Sequence, residues 1–90
     1  MSNQQPLSKE LRNILGIIAD LSHNDTESAV YDNRIVSEAN HLPPDEVWNY
    51  LNQLQSRGLI IEGTQPTGAS FRLYMITTKG IHELENQDLK

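Results

Sequence analysis

Cysteine is missing altogether from this chain of 90 residues, so no disulfide can staple the fold and no thiolate can bind a metal or attack a substrate. That absence agrees with a reducing compartment. Long apolar runs are missing too. The longest covers a few residues, far short of the roughly 20 that a membrane-crossing helix requires. The opening MSNQQPLSKE has no hydrophobic region of the kind a signal peptide carries, so a cytoplasmic location is expected and no membrane partner. Catalytic signatures are also lacking: there is no GxGxxG, no P-loop and no nucleophile elbow. His23, His41 and His82 fall in a loop, a turn and a final helix, without metal-ligand spacing. Neither enzymatic activity, a metal nor a cofactor is expected.

What is present suits one small globular domain spanning 1–90, with 1–5 and 86–90 as flexible ends. The hydrophobic content is 37% and the charged content 21%, as in folded chains. At this size roughly 60% of the unfolded surface can be buried, enough for one core.

The most informative stretch is DNRIVSEANHLPPDEVWNYLNQLQSRGLII, from Asp32 to Ile61. Ile35, Val36, Ala39 and Leu42 have the spacing of a helix with one buried face, and Asp32 suits its N-cap. Leu42-Pro43-Pro44 ends that helix, because a proline lacks an amide donor and forces its predecessor out of α geometry. Pro44 is well placed in the first turn of the next helix, followed by Asp45 and Glu46 at the positive end of its dipole. Val47, Tyr50, Leu51 and Leu54 form the inward stripe, and Arg57-Gly58 closes the helix. Leu59-Ile60-Ile61 is too short and β-branched to continue it. The reading is a helix-turn-helix running into a strand.

Around this motif, Leu7, Leu11, Ile14, Leu15, Ile18 and Leu21 mark a first amphipathic helix. Ile17 widens its apolar face toward a second neighbour, and Gly16 suggests a close helix crossing. SHNDTES is a loop and Ala29-Val30-Tyr31 a short extended piece. The strands Leu59–Gly63 and Phe71–Ile76, joined by TQPTGAS, make a hairpin; Phe71, Leu73 and Met75 share one face, and Arg72, Tyr74 and Ile76 the other. Thr77 or Thr78 caps a last helix that buries Ile81, Leu84 and Leu89. Tyr31 and Tyr74 are expected at the edge of the core with their hydroxyls in water.

VWNYLNQLQSRGLI (Val47–Ile60) and LYMITTKGIHEL (Leu73–Leu84) carry a resemblance to winged helix-turn-helix domains of the MarR and PadR types of bacterial transcriptional regulator, and it extends from about Leu7 to Leu84. The resemblance implies an α+β, mainly helical fold: a three-helix core, a two-stranded β wing and a C-terminal helix. It also implies DNA binding, with helix 44–57 in the major groove and the 59–76 wing on the backbone or minor groove. Asp45, Asn49, Asn52 and Ser56 lie opposite the buried stripe with Gln53 beside them, and Asn49, Asn52, Gln53 and Ser56 would meet base edges, since amides pair well with adenine. Arg34, Arg57 and Arg72 would hold phosphates, and a homodimer would form through the first and last helices.

The charge opposes this reading. The net charge is −5 and the pI about 5.0. Between Asp32 and Thr78, five acids (Asp32, Glu38, Asp45, Glu46 and Glu62) face three arginines, with no lysine between Lys9 and Lys79. Phosphate contacts from Lys and Arg supply most non-specific DNA affinity. The alternative is an acidic winged-helix module that binds a protein partner and no nucleic acid, with Trp48 and Ile17 at the interface, since tryptophan is enriched in such anchors.

Overall fold

The computed structural model describes residues 7–63, Gly68 and 71–87. Its elements run in the order α1 (Lys9–Ser22), β1 (Val30–Tyr31), α2 (Asp32–Glu38), α3 (Pro44–Ser56), β2 (Ile60–Glu62), β3 (Leu73–Ile76) and α4 (Thr78–Gln87). The proposed flexible ends fall partly outside the described residues, as does Leu89, but residues 86 and 87 belong to α4. The loop 64–70 also lies outside them, except for Gly68.

The first helix starts where Ser8 accepts a hydrogen bond from the Leu11 amide. Leu11, Ile14, Leu15 and Ile18 bury its inner stripe against α3 and β3. Each such fully buried aliphatic chain contributes about 2 kcal/mol from loss of contact with water. Ile17 is half-buried at the margin of this core, beside Leu21, Ile81 and Leu84. Gly16 makes no close crossing within the chain, because a Cβ built there meets nothing within 4 Å. α1 closes on His23 and Asn24, both at positive φ, where the Asn24 amide bonds Ala19 O at 2.8 Å.

The expected two-stranded wing is present as the β2–β3 pair, and β1 extends it to a three-stranded sheet. β3 lies in the middle, with β1 and β2 antiparallel on either side. Val30 pairs with Tyr74, and Tyr31 with Leu73, so the short extended piece before α2 joins the wing. The β1 pairing continues into the helix start: the Asp32 amide donates to Arg72 O at 2.9 Å. The N-cap of α2 is therefore Tyr31 and not Asp32, which is the first helical residue and is buried. α2 ends at Glu38, leaving Ala39 and Leu42 to pack from the turn.

Register assigns the two faces of the sheet. Val30, Ile60, Tyr74 and Ile76 face the helices and are buried. Tyr31, Ile61, Leu73 and Met75 face outward. Neither tyrosine matches the expectation of a core-edge residue: Tyr74 is fully buried, while Tyr31 is half exposed and packs on Phe71 with ring centroids 5.2 Å apart. Both follow from alternation, since residues one apart on a strand point to opposite faces.

The junction of α3, β2 and α4 is tied by backbone geometry. Gly58 has φ 76°, and the Leu59 amide bonds Leu54 O at 3.0 Å while the Gly58 amide bonds Gln55 O at 3.0 Å. This paired closure needs a left-handed residue after the helix, which glycine adopts without a Cβ penalty. Thr77 then caps α4: its Oγ1 accepts from the Gly80 amide at 3.0 Å, and its hydroxyl is shared between Gly58 O (2.8 Å) and Leu59 O (3.0 Å). Of the two threonines, Thr77 is the cap. Gly80 sits so close to Leu59 that a Cβ would strike the Leu59 carbonyl oxygen and approach Ile76 Cγ1 to 2.9 Å.

Candidate nucleic-acid interface

α3 is anchored by one face and open on the other. Val47, Leu51 and Leu54 are fully buried and Tyr50 is half-buried. Helical spacing then turns Asp45, Asn49, Asn52 and Ser56 outward, and all four are exposed. Gln53 lies further round and is half-buried, so it stands at the side of this row instead of within it. The N-cap position is Pro43, with Pro44 at the first turn and no side-chain cap. Asp45 and Glu46 are both exposed there, so the helix presents acid at its leading end and amides along its length.

The three arginines of the expected phosphate set are dispersed. Arg34 is exposed on α2, and Arg57 is half-buried at the C-terminal cap of α3. The Arg57 carbonyl accepts from Lys79 Nζ at 3.0 Å, which places a cation from α4 on the negative end of the α3 dipole. Lys79 had no role in the sequence reading. Its contact spans 22 residues, and no local spacing encodes it.

Arg72 and Trp48, assigned to different partners by the sequence reading, meet each other. The Arg72 Cζ lies 5.2 Å from the Trp48 ring centroid. β3 alternation explains the encounter. Arg72 shares the inward face of Tyr74 and Ile76, but it sits at the strand's entry, past the edge of the core. Its side chain therefore crosses toward α3 and reaches the rim where Trp48 projects, 39% exposed. The Arg72 pKa is raised, first by a hydrogen bond with Tyr74 and then by the negative charges of Glu62 and Asp32, against some desolvation. Trp48 and Arg72 thus form the junction between α3 and the wing.

A second surface lies on the other side of the molecule. An open groove of about 1400 Å³ runs along the outer face of α1 and is floored by Gly16, Ile17, Ile81 and Leu84. Lys9, Arg12, Asp20 and Glu85 stand on its rim. His41 from the helix-turn-helix turn also reaches it, with its Nε2 3.5 Å from Asn13 Nδ2. Among the described residues, no group of three or more His, Asp or Glu side chains could hold a metal ion, and no helix is long and apolar enough to cross a membrane.

No protein-family profile matches the chain, and no curated protein sequence does. Solved structures do match. The zinc-responsive MarR family member ZitR of Lactococcus lactis is 23% identical, with a TM-score of 0.71 over 97% of this chain and 54% of its own. BpsR of Bordetella bronchiseptica, whose DNA binding is regulated by 6-hydroxynicotinic acid, is 18% identical with a TM-score of 0.75 over 92% of this chain and 58% of its own. A cysteine-to-serine mutant of E. coli MarR in complex with operator DNA is 15% identical with a TM-score of 0.72, over 89% of this chain and 52% of its own. The chain spans a little over half the length of these three proteins. Four helices around a three-stranded antiparallel sheet, in this order, make the winged helix-turn-helix fold of the MarR-family regulators.

Proposed function

We propose that this protein is a transcription-regulator-type DNA-binding protein, with α3 reading the major groove and the wing (59–76) lying on the backbone or minor groove. The observation that carries this reading is the exposed row Asn49, Asn52 and Ser56 on a helix locked by its opposite face to the core. A rigid helix presenting amides at one-turn intervals suits base edges, since each amide can both donate and accept. The likeness to a MarR structure solved with operator DNA supports the same use of the fold. Gln53 would reach bases only from the side of the row, and Arg34, Arg57 and Arg72 would hold phosphates.

The acidic charge gives this reading a definite physical form. With five acids against three arginines in the helix-turn-helix and wing, one copy has little non-specific affinity. Two copies on adjacent half-sites double the phosphate contacts without further basic residues. The α1 groove suits this pairing through the first and last helices. Ile17, Ile81 and Leu84 would supply the apolar part of the contact, around Gly16.

Selection of bound duplexes from a random-sequence pool tests the reading. A recovered consensus with two related half-sites is expected, and Asn49→Ala with Asn52→Ala should abolish the sequence preference while leaving residual affinity. Recovery of no sequence, with no binding even at low salt, would overturn it.

A further inference from the structure

Trp48 and Arg72, expected at a protein partner and at a phosphate respectively, contact each other. We infer that Trp48 is a positioning residue for DNA binding: its indole face holds the Arg72 guanidinium at the junction of reading helix and wing, leaving the N–H edge for a phosphate. This inference rests on the DNA-binding reading and names how one of its contacts is built.

Three observations support it. The guanidinium carbon is 5.2 Å from the ring centroid, within the range of a cation–π contact. A planar guanidinium held over a ring keeps its N–H donors in its own plane, so those not bonded to Tyr74 stay directed outward, whereas a lysine ammonium offers no such edge. Trp48 is 39% exposed, so the indole is not filling the core, and it directly precedes Asn49 of the exposed row on α3.

The contact also answers a difficulty of charge. Glu62 and Asp32 act on Arg72 electrostatically from β2 and α2, and a freely moving guanidinium would be drawn toward them. The Trp48 ring supplies an attraction of its own without carrying a negative charge that would repel DNA. In a region with few cations, one well-directed arginine counts for more than it would on a basic surface. It also links the reading helix to the wing, so that base and backbone contacts are placed together.

Trp48 is the only tryptophan in the chain, which gives a direct readout. In the DNA-free protein, Arg72→Met should shift the Trp48 emission. The full chain is then titrated with a mixed-sequence duplex, where base preference plays no part, across salt from about 50 to 200 mM. Trp48→Leu should weaken binding roughly eightfold near 0.1 M salt and lower the salt slope by about one, which is the share of one phosphate. Trp48→Phe keeps a ring and should restore the slope. The double variant Trp48→Leu, Arg72→Met should bind no more weakly than Arg72→Met alone, because both remove the same contact. Thermal unfolding of Trp48→Leu should remain close to that of the parent, separating positioning from folding.

An unchanged emission in Arg72→Met would overturn the pair. Unchanged affinity and slope in Trp48→Leu, or losses that add in the double variant, would overturn the positioning role while the DNA reading stands. An unmodified chain that shows no salt-dependent binding removes the DNA reading itself, and the positioning role with it.

Discussion

The two ends of α3 are held by different means. At the C-terminal end, Gly58 and Leu59 amides close the helix, Thr77 bonds the next two carbonyls, and Lys79 bonds the Arg57 carbonyl. At the N-terminal end there is no side-chain cap, the first turn carries Asp45 and Glu46, and the contact with the wing is the Trp48–Arg72 pair. One end is fixed by backbone hydrogen bonds and steric fit, the other by side chains at the surface. Folding depends on the first end, whereas the second bears on DNA contact under the proposed function. Changes at the first end should act on stability, and changes at the second on DNA affinity.

The largest effect is expected from Gly80→Ala. Its Cβ would drive into the Leu59 carbonyl, which is backbone and cannot rotate away. Overpacking of this kind should cost about 3 kcal/mol, lowering the melting temperature by more than about 10 °C in a domain of this size. Pro44→Ala at the opposite end should change stability by less than about 1 kcal/mol. Thermal denaturation of both variants checks the contrast, and equal losses would break it.

Thr77→Val should come next. Valine keeps the shape but removes the α4 cap and the hydroxyl shared by Gly58 and Leu59, for an expected loss of about 1–2 kcal/mol. Urea denaturation should show a lower midpoint with an unchanged slope.

The opposite end is probed by Asp45→Asn with Glu46→Gln. Removing two negative charges from the leading turn should raise affinity for mixed-sequence DNA several-fold, most clearly at low salt. Stability should fall slightly, because the acids favour the positive end of the helix dipole. Unchanged affinity would mean that this end of α3 does not approach phosphates.

The smallest effect belongs to the α1 groove, away from both ends. Ile17→Glu should weaken self-association, as sedimentation equilibrium would show. An unchanged association constant would exclude the α1 groove as the contact.

Much of this contrast was legible in the sequence, and the remainder was hidden for identifiable reasons. The helix-turn-helix, its buried stripe and the Gly58 closure follow from local rules: apolar spacing, Pro43-Pro44 and a glycine after the last turn. Thr77 was visible as a cap because capping acts within four residues. Its bonds to Gly58 and Leu59 were not visible, since they join residues 18 and 19 apart. The same holds for Gly80, whose need for a hydrogen side chain arises from Leu59 across the fold. β1 was recognised as extended, but its pairing with β3 is a long-range choice that a two-residue strand cannot announce. Within the candidate site, the exposed row on α3 and the place of Gln53 beside it were readable from helical periodicity. The meeting of Trp48 with Arg72 required the strand register, because each residue alone suggested a separate partner.

The most direct test of the central claim is a titration of the unmodified chain with its selected duplex and with a scrambled duplex, at about 50 and 200 mM salt. Tighter binding to the selected site is expected at both salts, with affinity falling by at least about tenfold between them as phosphate contacts are screened. No binding to either duplex at the lower salt would contradict it.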